Sequence, residues 1–188
     1  MGSFYTNITL RTSDQNRVVD ALKSENREAF VSSANGCTVV FDSESEQQDL
    51  EILRGLANRL SEKLRCAALA VLNHDDDVLV CSLHESGRLV DEYNSSPSYF
   101  TDGDMSMPEG GDAERWCRAF GAQGKAKDVE RILRTSGLSS VGYTFEMDRH
   151  ADLVAALGLP PASVSLGFNY LEEGEFGDGN ESDFVRVE

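Results

Sequence analysis

The sequence predicts an α+β fold built on a mainly antiparallel sheet, and three observations carry the prediction. Residues 66–93 hold three apolar runs separated by two short polar turns, Asn73-His74-Asp75-Asp76-Asp77 and Glu85-Ser86-Gly87. Asn, Asp and Gly favour turns, so this reads as a three-stranded meander. Upstream, Asn35-Gly36 separates two further apolar runs, a pairing that suits the positive φ angles of a tight hairpin. The segments up to the first strand of the meander run strand, helix, strand, strand, helix, strand, which is the split β-α-β order of ferredoxin-like folds.

Each element has its own justification. Residues 4–10 alternate Phe4, Thr6, Ile8 and Leu10 with Tyr5, Asn7 and Thr9, as a strand with at least one apolar face should. Ser13 or Asp14 can cap a helix that buries Val18, Ala21 and Leu22 and ends near Ser24. Residues 29–33 and 37–42 are the hairpin strands. The acidic stretch 43–48 opens the second helix, where Leu50, Leu53, Leu56, Ala57, Leu60 and Leu64 recur at helical spacing. Lys63 and Arg65 close it, in keeping with the helix dipole. The fourth strand lies at the sheet edge beside the first, and residues 78–83 and 88–93 extend the sheet from there. The 78–83 run is apolar at both parities, so each face of the sheet needs cover.

Residues 94–112 are rich in Ser, Pro, Gly and Asp and read as a linker, with Tyr99, Phe100 and Met105 as possible anchors. Beyond it, helical spacing covers 113–120, with Asp112 as cap and Gly121 as stop, then 128–134, then 148–157 ending at Gly158. Short strands are expected at 141–145 and 164–171. The tail from Glu172 is acidic and Gly-rich and is expected to fray. The expected organisation is an extended ferredoxin-like region over 1–93, a linker over 94–112, and a helical C-terminal region over 113–188 with short strands and an acidic tail, packed on the first.

Composition narrows the function. The 188 residues carry 33 Asp and Glu against 17 Lys and Arg, for a formal net charge of −16. That excludes a broad nucleic-acid or anionic-membrane surface, which needs clustered cations. It permits a basic partner, and it also favours solubility. No apolar run approaches the ~18 residues of a membrane span. The N-terminus lacks the basic and apolar regions of a signal peptide. Cys37, Cys66, Cys81 and Cys117 show no C-x-x-C spacing, so reduced thiols and a cytoplasmic setting are expected.

Four segments, FYTN at the start, LNHDDDVL, GRLVDEYNSSPSYF and RHADLVAALGLP, together resemble an uncharacterised family of bacterial cytosolic proteins. The resemblance covers most of the chain. It implies a bacterial cytosolic origin and transfers no catalytic residue.

The strongest polar cluster is His74, Asp75, Asp76 and Asp77, with Tyr93 and Tyr99 as further candidate binding residues. Imidazole and carboxylates suit a divalent cation. Consecutive residues of a tight turn diverge, however, and a solvated turn is the stronger reading. A zinc site from His74, His84 and His150 has no recognisable ligand spacing. The run 178–183 resembles a calcium loop until its sixth place, which needs Gly and holds Asp183. GAQGKAK, residues 121–127, lacks the spacing and hydroxyl of a phosphate loop. No catalytic residue, metal or cofactor is predicted. The expected function is a non-catalytic soluble interaction protein that binds a basic protein partner through an acidic surface. The alternative is a small-molecule-binding protein or enzyme with a cleft between the sheet and the C-terminal region.

Overall fold

Strand alternation decides the layering. The computed structural model describes residues 2–102, 106–136 and 142–188. Among them, eight strands form one antiparallel sheet: β1 Tyr5–Leu10, β2 Ala29–Ala34, β3 Cys37–Asp42, β4 Ala68–His74, β5 Val78–Glu85, β6 Arg88–Asn94, β7 Glu109–Gly110 and β8 Val185–Val187. Their spatial order is β7-β6-β5-β4-β1-β3-β2-β8. Seven helices accompany them: α1 Gln15–Lys23, α2 Leu50–Leu64, α3 Tyr99–Asp102, α4 Ala113–Phe120, α5 Ala126–Arg134, α6 Glu146–Leu157 and α7 Phe168–Glu172.

The central strands are apolar at both parities because both faces are covered. Ala68, Ala70, Leu72, Val78 and Val80 point to one face and pack with Val18 and Leu22 of α1 and Leu53, Leu56 and Leu60 of α2. Leu69, Val71, Leu79, Cys81 and Leu83 point to the other. There they meet Trp116 and Phe120 of α4, Ile132 and Leu133 of α5, and Leu153 and Leu157 of α6. A third cluster joins Phe30, Val39 and Phe41 to Leu166, Phe168 and Leu171. Strand alternation with a period of two thus produces three layers, helices on sheet on helices.

Local signals place the ends. Asp14 accepts the Arg17 N–H at the start of α1, and Asp49 accepts the N–H groups of Glu51 and Ile52 at the start of α2. Asp112 does the same for Arg115 at α4, whose carboxyl is held below its usual range by that bond. Asn35 and Gly36 stand at φ 53° and 74°, so the β2–β3 connection is a two-residue turn with both φ angles positive.

Four local readings give way to longer-range structure. Residues 43–48 do not open α2; Ser45–Gln47 is a separate 3₁₀ turn, Gln48 has a positive φ of 62°, and Asp49 caps the helix. Of the strand expected at 141–145, Val141 lies outside the described residues, and 142–145 carry no strand; Phe145 is the residue before α6. The strand expected at 164–171 does not form: residues 164–167 carry no strand, and α7 begins at Phe168. Its first N–H groups, those of Phe168 and Asn169, bond to the carboxylate of Glu46. Gly167 lies so close that a Cβ there would collide with Glu46 Oε1. The tail does not simply fray. Val185–Val187 pairs with Ala29–Val31 as β8, and Val187 is fully buried. Of the expected anchors in 94–112, Tyr99 and Phe100 belong to α3, and Met105 lies outside the described residues.

Candidate functional site

The β4–β5 turn places five of the six candidate binding residues together. Asp75 and Asp76 take left-handed conformations at φ 52° and 57°, which their short polar side chains tolerate. Asp75 Oδ1 accepts the Gly2 N–H at 2.9 Å, and Asp76 Oδ2 accepts the Ser3 N–H at 2.9 Å. Asp76 also accepts from Asn73 Nδ2 at 2.8 Å, and its carbonyl receives the Glu146 N–H at 2.8 Å. Asp77 accepts the Tyr99 hydroxyl proton at 3.0 Å, a bond that pushes the Tyr99 pKa up. His74 Nδ1 lies 2.6 Å from Gln48 Oε1, with the rings of Phe4 and Phe100 at 5.0 and 5.2 Å. The turn therefore clamps the N-terminal backbone to α6 and α3. Tyr93 stands apart: it is buried beside Trp116, and its hydroxyl donates to the Leu133 carbonyl at 3.1 Å.

His84, His150, Cys37, Cys81 and Cys117 lie in the packed interior. His150 is buried with Nδ1 2.8 Å from the Tyr5 hydroxyl, and burial lowers its pKa to about 3. Burial, with the Arg54 charge, lowers His84 to about 4. All four cysteines are free, and burial raises each thiol, Cys66 to about 11. Among the described residues no group of three His, Cys, Asp or Glu side chains is placed to hold a metal ion.

A groove opens at the other end of the molecule. It has a volume of about 940 Å³ and lies between the β2–β3 hairpin, the C-terminal half of α6 and the segments 158–166 and 176–184. The Asn35 side chain ties the hairpin to the loop after α6 by donating to the Leu159 carbonyl at 3.1 Å. Leu166, Phe176 and Phe184 supply apolar wall. Phe176 and Phe184 hold each other at a ring separation of 5.6 Å, and Phe184 reaches Phe41 of the sheet at 5.9 Å. These tilted ring contacts anchor the acidic tail. The charged residues lining the groove are Asp178 and Asp183, both exposed, and no Lys or Arg is among the lining residues. None of the six candidate residues lines it. The sequence does carry a trace of the groove: two phenylalanines in an otherwise polar tail, and Pro160-Pro161 after a helix stop.

Charge is distributed unevenly. Among the described residues, the basic side chains of Arg27, Arg54, Arg59, Arg115, Lys125, Arg134, Arg149 and Arg186 make ion pairs with carboxylates of the chain itself. Residues 172–183 carry six carboxylates and no Lys or Arg. No helix of the described residues is long and apolar enough to cross a membrane. Comparison with models of known protein families, with curated proteins and with solved structures finds no match to this chain.

Proposed function

We propose that this chain is a non-catalytic interaction protein that binds a basic protein partner through its acidic surface. The observation that carries the reading is the exposed tail segment 172–183, with six carboxylates, of which Glu172 is paired to Arg186, and no Lys or Arg within it, in a chain where eight of the described basic side chains are already engaged. Complementary charge supplies partner choice and speeds encounter more than it supplies affinity. Buried, neutral His84 and His150 and high-pKa thiols support a role without acid–base or nucleophilic catalysis. Free thiols fit a cytoplasmic setting, and the acidic balance argues against a nucleic-acid partner. The order β4-β1-β3-β2, with α1 and α2 on one face, supports a ferredoxin-like core in the 1–93 region, joined through 94–112 to a C-terminal region that covers the second face.

Affinity capture from a bacterial lysate tests the reading. The immobilised protein should retain basic proteins that elute as salt rises, identifiable by mass spectrometry. A charge-reversed variant of residues 172–183 should lose them. Equal capture by both proteins, or no salt-sensitive basic protein at all, rejects the proposal. The 940 Å³ groove favours the second reading, a small-molecule site between the sheet and the C-terminal region. Among the described residues its lining offers two exposed carboxylates, Asp178 and Asp183, as its charges, which suits binding of a cation better than chemistry.

A further inference from the structure

Resting on the acidic-surface reading, we infer that the groove is the docking site for an extended basic segment of the partner, which adds as a strand to the uncovered end of β2. Three independent features converge there. The first is an open strand edge. β2 runs from Ala29 to Ala34, but β8 pairs only with Ala29–Val31 on its outer side. Ser32, Ser33 and Ala34 continue the strand past the end of β8 and line the groove. Their other edge is taken by Val39, Thr38 and Cys37 of β3. Backbone groups of an antiparallel strand face its two neighbours alternately, so with Ala34 and Cys37 closing the two-residue turn it is Ser33 whose N–H and C=O face the groove, beside the Gln15 side chain, which donates to the Val31 carbonyl at 3.0 Å; an incoming chain gains the Ser33 main-chain bonds there.

The second feature is the wall. Alternate side chains of an added strand meet apolar surface from Val164, Leu166, Phe176 and Phe184, so apolar anchors at every second position are accommodated. The third is charge. Asp178 and Asp183 line the groove, and Glu173, Glu175 and Glu181 are exposed in the same segment. With no Lys or Arg among the lining residues, a segment bearing Lys or Arg at the remaining positions is the complementary occupant. The β8 strand itself shows the pattern the edge accepts: Val185, Arg186, Val187, with apolar Val187 buried and Arg186 paired to Glu28 and Glu172.

The test uses a seven-residue probe peptide, Lys-Leu-Lys-Val-Lys-Leu-Lys, titrated into the full chain and followed by amide chemical shifts. Saturable shifts should map to residues 32–35, 158–166 and 176–184 and leave the His74–Asp77 turn unmoved. A peptide with Glu at every Lys position should bind at least about tenfold more weakly, as should one with Ser at every apolar position. Ala155→Arg places a bulky cation on an exposed α6 position that lines the groove, and should weaken the probe about tenfold. Asp178→Lys, at an exposed loop position, should weaken it about threefold and leave the denaturation midpoint unchanged. Shifts centred on the β4–β5 turn, equal binding of the Glu peptide, or unchanged binding to folded Ala155→Arg would each overturn the inference. Salt-sensitive capture of a basic partner that survives both substitutions removes the groove but leaves the acidic-surface reading standing. Groove shifts with the probe and no partner captured from lysate remove that reading instead.

Discussion

Arg149 and Glu146 show how the interior treats charge. Arg149 is fully buried, its Nε donates to Glu146 Oε2 at 2.6 Å, and its Nη1 donates to the Ile132 carbonyl at 2.6 Å. Burial nonetheless raises the Glu146 pKa, because desolvation outweighs the arginine beside it. Removing one partner of such a pair strands the other. Arg149→Met should therefore cost about 3–5 kcal/mol in denaturant unfolding, and adding Glu146→Gln should recover part of it. A loss below about 1 kcal/mol for the single variant would show that the carboxylate finds other partners. The histidines give a pH dependence with a definite sign. His150 and His84 are held neutral, at about 3 and about 4 against an ordinary 6.5. The unfolded chain binds these protons first, so stability is complete above pH 6.5 and falls as the pH drops toward 4 and then 3. At pH 5 each contributes a loss of roughly 2 kcal/mol. The raised carboxyls of Glu46 and Glu146 act oppositely, taking up protons in the fold. The histidine share is therefore read as the difference between the parent and His84→Gln: the variant should lose less stability between pH 7 and pH 5, and equal slopes would contradict a neutral buried His84.

The β2–β3 hairpin is the element whose sequence signal is most direct. Both turn residues have positive φ, and nothing lies within 4 Å of a Cβ built on Gly36, so a side chain there meets strain in the backbone alone. Gly36→Val should destabilise by about 1–3 kcal/mol. An unchanged urea midpoint would mean the turn has relaxed to another type. The meander, α1 and α4 are equally legible, because their apolar periods and caps lie within the elements themselves; α2 is legible from its leucine period but not at its start, where Asp49 rather than the 43–48 run is the cap. α7 is not legible. The run 164–171 is apolar enough to pass for a strand, and what makes it helical from Phe168 is the Glu46 carboxylate, which is more than 100 residues away in the chain. β8 escaped for the same reason, since three residues carry too little pattern and their partner strand lies near the other terminus. The candidate turn was recognised as polar, and the structure shows where its carboxylates go: onto Gly2, Ser3, Asn73 and Tyr99. The groove left only the trace of Phe176, Phe184 and Pro160-Pro161 in the sequence, because it is assembled from a hairpin, a helix end and a tail that only the tertiary fold brings together.

On the scale of the whole molecule the excess of 33 acidic over 17 basic side chains acts as a field. Pairs such as Arg186 with Glu28 and Glu172 neutralise part of the surface, but the tail beside the groove keeps Glu173, Glu175 and Asp178 exposed and outside the chain's described ion pairs. A field of this kind reaches about 8 Å at physiological ionic strength and about 30 Å in 10 mM salt. Association with a captured basic partner should thus slow as salt rises, with the dissociation rate changing much less. The position of the charge then separates local docking from diffuse attraction. Glu175→Gln with Asp178→Asn removes two carboxylates beside the groove; Glu62→Gln with Glu114→Gln removes two exposed carboxylates from α2 and α4, neither lining it. Both pairs change the net charge equally. If the partner approaches the groove, the first pair should slow association severalfold at low salt, and the second should change it much less, because Coulomb energy falls with distance. Equal slowing would make the attraction a property of net charge only, and an association rate indifferent to salt would remove steering altogether.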